Sequence, residues 1–154
     1  MDEIDRNIAV ALQLDGSAGL AELAKVAGLS VSATAERVKR LEERGVIRGW
    51  RADLDPAEIG CPLLAHVLVA VAPGRDDAAF RKAMRRQEAV LECHAVTGPW
   101  TYLLKLRLAD LSALETFLNE ELRCLPGVQR VETLLAIATV KETSILPVAP
   151  PREE

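Results

Sequence analysis

The residues best placed to do chemistry in this 154-residue chain gather in one segment. Residues 30–51 hold six basic side chains (Arg37, Lys39, Arg40, Arg44, Arg48, Arg51) against three acidic ones (Glu36, Glu42, Glu43), in a chain whose overall charge is −4. A globally acidic protein can still bind nucleic acid when its basic residues cluster. Just ahead of the cations lie small residues, Ser30, Ser32, Ala33 and Thr34, which would let a backbone approach base edges. On charge alone, a solvated helix face explains the cluster equally well.

The nucleophile and ligand types are sparse. Cys61, Cys93 and Cys124 are three widely spaced cysteines, and His66 and His94 are the two histidines. The spacing makes neither a disulfide framework nor a zinc knuckle. Cys93 and His94 are adjacent in a strand-like run, so their side chains should point to opposite faces and cannot share a metal or form a dyad. No HExxH, GxSxG or phosphate-cradling glycine loop occurs. No catalytic residue, metal or cofactor is therefore expected.

The elements that must position the basic segment are helices. Ile4, Ile8 and Leu12 recur at helical spacing over roughly 2–14, with Asp2 and Asp5 at the positive end. Leu20, Leu23, Ala24 and Ala27 make a short second helix over 20–27, ended by Gly28. Leu29 plugs the turn and Ser30 is the expected N-cap of a third helix over 31–44, with Val31, Ala35, Val38 and Leu41 packed inward. A short helix, a glycine turn and a second helix with a Ser, Thr and Arg outer face is a helix-turn-helix arrangement. Its second helix would enter a major groove about 12 Å wide. Arg37 and Arg40 would then meet guanine edges or phosphates. VIRGWRADLD at 46–55 alternates and suggests a strand or wing; 53–62 reads as a linker.

The second half follows a βαββαβ rhythm: strand 63–72, helix 76–88, strands 90–97 and 101–108, helix 112–124 with Ser112 and Glu115 in capping-box spacing, and strand 128–140. This order predicts an α+β ferredoxin-like sandwich. Strands 63–72 and 128–140 are apolar on both faces. Helices cover only one face of such a sheet, so a second copy is the economical cover for the other. The tail, 143–154, is proline-rich and then charged, and is expected to fray.

Hydrophobic residues are 49% and charged residues 27% of the chain, which excludes a disordered class. No apolar run reaches the ~18 residues of a membrane helix, and the acidic N-terminus lacks a signal-peptide pattern. A cytoplasmic protein with no membrane partner is the expectation.

Over about 1–142 the chain resembles the Lrp/AsnC (feast/famine) transcriptional regulators. The resemblance rests on DEIDRNI (2–8), LAELAKVAGLSVSATAERVKRLEERGVIRGW (20–50), LDPAEIG (54–60), VTG (96–98), PGV (126–128) and Lys141. It implies an N-terminal winged helix-turn-helix (1–52), a linker (53–62) and a ligand-sensing, oligomerising domain of the RAM type (63–142). Double-stranded DNA, a homodimer or octamer, and a small effector such as an amino acid are the implied partners. DNA contact is implied for Ser30, Ser32, Ala33, Thr34, Arg37, Lys39 and Arg40. Effector contact is implied for Thr97, Gly98, Pro99, Trp100 and Thr101, with Thr133 and Leu135 from the last strand.

Departures from the family pattern alter the expectation. The family often reads Gly-Asp-Tyr/Phe-Asp where this chain has Gly98-Pro99-Trp100-Thr101. Both carboxylates that could pair with an ammonium are lost. Trp100 could close over a more apolar or aromatic ligand, or Pro99-Trp100 could be a rigid turn that packs the dimer. Ser17 and Gly19 replace the family's Arg and cap Ser in the first loop. Two rivals stand beside this reading: an architectural DNA-binding protein without effector, and a siroheme-decarboxylase-like enzyme. The second is disfavoured by Cys93-His94-Ala95-Val96 and by the lack of Asn before Trp100.

Overall fold

The computed structural model describes residues 1–148, which divide into two compact units. The first contains α1 (Glu3–Leu14), α2 (Leu20–Ala27) and α3 (Val31–Glu43). Each start is capped from the sequence. The Asp2 carboxylate accepts the Asp5 N–H at 2.8 Å, the Gly19 N–H donates to Glu22 at 3.1 Å, and Ser30 Oγ accepts the Ala33 N–H at 3.2 Å. Gly28, at φ 66°, turns the chain into the left-handed region that ends α2, and Leu29 N–H closes the turn on the Ala24 carbonyl.

Ile8, Leu12, Leu23, Ala27 and Leu41 form the core of this unit, with Ile4, Leu29, Val38 and Ile47 around it. Leu20 and Val31, expected on the inward stripes, are exposed because each begins its helix at the rim of that core. The expected strand over 46–55 does not form. A strand needs a partner, and this unit contains none among the described residues. The Val46 and Ile47 N–H groups instead close on the Leu41 carbonyl, and Ile47 packs into the core. Part of the tail is held and not frayed: Leu146 N–H donates to the Gln13 side chain, which donates back to the Leu146 carbonyl. Residues 149–154 of that tail lie outside the described residues.

The second unit is the expected βαββαβ sandwich, Leu54–Val140. Its elements are β1 (Leu63–Val71), α4 (Arg75–Met84), β2 (Val90–Ala95), β3 (Tyr102–Leu108), α5 (Leu111–Thr116) continuing as a π-helical stretch (Phe117–Leu122), and β4 (Val128–Leu135). The antiparallel sheet has the order β2-β3-β1-β4, the ferredoxin-like arrangement. Alternation assigns the faces. Ala65, Val67, Val69 and Val71 of β1 and Tyr102, Leu104, Leu106 and Leu108 of β3 pack with Phe80, Met84, Leu114, Phe117 and Leu122 from the helices.

Two sequence expectations change here. Asp110, not Ser112, caps α5, its carboxylate accepting the Ala113 N–H at 2.8 Å. The last strand stops at Leu135 rather than 140, leaving Ile137 and Val140 fully exposed. The reason is register. Ala65 faces Leu135, one further bond joins Ala136 N–H to the Leu64 carbonyl, and β1 then has almost no partners left.

Candidate nucleic-acid and effector sites

Helix α3 separates its basic and small residues into two sets. Ser30, Ser32, Ala33, Lys39 and Arg40 are exposed. Ser32 Oγ lies 3.2 Å from Ser30 Oγ, which holds the first turn of the helix in place. Lys39 and Arg40 make only loose i,i+4 pairs, at 3.7 Å to Glu43 and 3.6 Å to Glu36, with all four side chains solvated. Such pairs contribute little and yield readily to a phosphate or a base edge. Arg44, Arg48 and Arg51 are exposed just beyond the helix.

Thr34 and Arg37 belong to the other set, whose side chains are engaged within the unit. Thr34 is fully buried, and its hydroxyl donates to the Ser30 carbonyl at 3.0 Å. Arg37 is turned back onto α1. One guanidinium nitrogen donates to Asp2 at 2.6 Å and to Asp5 at 2.7 Å, a charge-assisted clamp across the two helices. The Asp5 N–H and the Arg37 guanidinium hold the Asp2 carboxyl below the usual carboxylate range. The two carboxylates raise the Arg37 pKa further, Asp2 more than Asp5. The clamp fixes the angle at which α3 is presented. Sequence reasoning read Asp2 and Asp5 only as helix-end charges, and nothing in local spacing links them to a residue more than thirty positions away.

The β2–β3 turn places Thr97, Gly98, Pro99 and Trp100 together at one end of the sheet. Gly98 sits at φ 103°, a conformation that favours glycine. The Val96 N–H donates to the Thr101 carbonyl at 3.0 Å. Arg130, which sequence reasoning missed, lies over the Trp100 ring with its guanidinium carbon 4.0 Å from the centroid. A long bond of 3.5 Å runs from the same guanidinium to the Pro99 carbonyl. The turn thus carries a cation where the family pattern carries acids.

Thr101 is engaged structurally, its hydroxyl receiving the Val71 N–H at 3.0 Å. Thr133 and Leu135 do not join the turn within one chain. Val69 faces both Tyr102 and Val131, while Thr133 and Leu135 face Val67 and Ala65, progressively further along the sheet. By strand rise, Leu135 is about 13 Å beyond Val131.

Register also places the reactive types apart. Cys93 faces Leu104 on the helix-covered side, and His94 faces Leu103 on the open side. His94 Nε2 is 3.0 Å from Glu92, which pulls the Glu92 carboxyl below its ordinary range. No group of three potential metal ligands occurs among the described residues, and no helix there is long and apolar enough to cross a membrane.

A helix-turn-helix unit carried in one chain with a ferredoxin-like sandwich defines a class of DNA-binding regulator. The family models agree: the AsnC-type helix-turn-helix domain matches residues 1–42 and the Lrp/AsnC ligand binding domain matches 64–146. The leucine-responsive regulatory protein of Escherichia coli K12 is 40% identical over 148 residues, covering 95% of this chain and 90% of that protein. A transcriptional regulator of Neisseria meningitidis solved with L-methionine superposes with a TM-score of 0.91 at 30% identity, covering 96% of each chain. The leucine response regulatory protein of Mycobacterium tuberculosis superposes at 0.80 with 36% identity, covering 92% of this chain and 96% of that one. The chain belongs to the Lrp/AsnC family of transcriptional regulators. Its relatives are regulators, and it is a regulator and not an enzyme.

Proposed function

We propose that this regulator reads its operator with the outward face of α3, in the cytoplasm, as a two-fold oligomer. Ser30, Ser32 and Ala33 allow close approach to the bases, Arg40 and Lys39 reach base edges or phosphates, and Arg44, Arg48 and Arg51 add phosphate contacts. The supporting observation is the division of α3: its solvated cations face outward, while Thr34 and Arg37 are spent on holding the helix in place. Operator selection from random DNA, followed by binding of Arg40→Ala, tests this. Loss of sequence discrimination supports base reading, and weaker binding with a flatter salt slope supports phosphate contact.

The open sheet face is the proposed dimer surface. Leu68 and Leu103 face each other on its two inner strands, with Leu64, Ala70 and Leu134 around them, His66 opposite Lys105 on the same inner strands, and Glu92, His94, Arg130 and Glu132 on the edge strands. The apolar patch of Leu64, Leu68, Leu103 and Leu134, interleaved with polar and charged side chains, suits a second copy of the same sheet. Dimers of this kind place two recognition helices for a palindromic site, and octamers built from them are the larger assembly proposed.

The β2–β3 turn is the proposed effector site, built from Thr97, Gly98, Pro99 and Trp100 with Arg130, for an amino acid or related metabolite. Trp100 offers a face to an apolar or aromatic body, and Arg130 offers a carboxylate partner. Thermal denaturation against the twenty amino acids and aromatic metabolites tests it. A ligand at about 100 times its Kd adds roughly 2.7 kcal/mol if it binds only the folded state, and Trp100→Ala should erase that shift.

A further inference from the structure

Beside the edge strand β2 lies a cleft that neither DNA reading nor the effector turn uses. By register, Cys93 and Ala95 face the helix-covered side of the sheet, opposite the buried Leu104 and Tyr102. Both are nevertheless exposed, and they border an open space shared with Arg81, Met84 and Arg85 of the α4 end. That space is about 340 Å³, walled by Met84, Val90, Leu91 and Tyr102, with Arg81 and Arg85 on its α4 side. That volume falls within the range of small-molecule sites, ~300–1,000 Å³.

The charges select the ligand. Arg81 and Arg85 are one helical turn apart on the same face of α4. Arg81 Nε donates to Asp77 at 2.9 Å, and its guanidinium lies 5.4 Å from the Tyr102 ring centroid. Arg85 is exposed and has no ion-pair partner among the described residues. The nearby carboxylate, Asp77, is committed: one oxygen receives the Tyr102 hydroxyl at 2.5 Å and the other receives Arg81. An ammonium would therefore find no free acid here. Partial desolvation by the neighbouring wall pushes the Cys93 thiol up although the residue stays open to solvent, so it enters the wall as a neutral, weakly polar group.

We propose that the α4–β2 cleft binds a small organic monoanion with a hydrocarbon body and no amino group, its carboxylate on Arg85 and Arg81 and its body against Met84, Leu91 and Tyr102. This site is independent of the turn at Trp100. Isothermal titration of the full chain tests it, with 4-methyl-2-oxopentanoate as probe and leucine, which has the same skeleton, as comparison in the Trp100→Ala protein, where the proposed effector turn no longer contributes. The oxo acid should bind and leucine should bind more weakly. Arg85→Gln should weaken the oxo acid at least about tenfold, since a charge-assisted contact is lost, and Ala95→Leu should abolish binding by filling the cleft. Trp100→Ala should leave it unchanged. Absence of binding at millimolar probe would overturn the proposal. So would leucine binding as tightly as the oxo acid, an unaffected Arg85→Gln, or any loss in Trp100→Ala.

Discussion

Leu68→Glu puts a charge at the centre of the open sheet face without touching the core of its own subunit. Leu68 faces Leu103 on one side and Glu132 on the other, whereas the core contacts of β1 are made by Ala65, Val67, Val69 and Val71. Burying one leucine side chain contributes about 1.5–3 kcal/mol. In a two-fold interface each substitution counts twice, so removing the leucine costs about 3–6 kcal/mol of association, some 10²- to 10⁴-fold in Kd. Burying the new carboxylate adds to that. Sedimentation equilibrium against protein concentration measures it, with circular dichroism as the check on folding. A folded Leu68→Glu protein whose oligomer is as stable as wild type would refute the two-sheet interface.

Other outcomes follow from the same geometry. Arg37→Ala should lower the Tm by opening the clamp to Asp2 and Asp5, and the loss should shrink below about pH 4. The depressed Asp2 pKa contributes stability above its unfolded value of 3.8 that disappears as pH falls through the folded value. Thr34→Val keeps the shape of a buried side chain and removes its bond to the Ser30 carbonyl. It should cost about 1 kcal/mol by denaturant titration and leave operator discrimination intact. Tyr102 is the chain's single tyrosine, so ultraviolet titration reports on it alone. Burial first, and then its bond to Asp77, push its pKa up to about 12, against 10.0 ordinarily. Ionisation favours the unfolded chain above pH 10, and Tyr102-linked stability should fall as pH rises from there towards 12.

What the sequence made legible was local. The glycine that ends α2, the serine that opens α3 and the alternation of Tyr102, Leu104, Leu106 and Leu108 each act within a few residues, and each has its expected place. What it hid depends on contacts made at a distance. The residue type and spacing of Arg37 suit DNA, and only the approach of α1 commits it to Asp2 and Asp5. Arg130 comes to lie over Trp100 at the β2–β3 turn because β4 lies beside β1, whose end holds Thr101. The apolar pattern beyond Leu135 looks like strand, but the partner strand runs out first. Where Asp110 and Ser112 could both cap α5, the backbone chose Asp110, and residue type alone does not separate them.

The central claim is that the outward face of α3 contacts the operator, through base edges or phosphates. Fluorescence anisotropy at fixed salt, comparing the selected operator with a scrambled duplex of equal length, tests it most directly. Arg40→Ala should reduce the ratio of operator to scrambled affinity by about 5- to 150-fold, the 1–3 kcal/mol of a base contact, or else lower both affinities and flatten the salt slope. An Arg40→Ala protein with the wild-type ratio, affinity and salt slope would contradict the account.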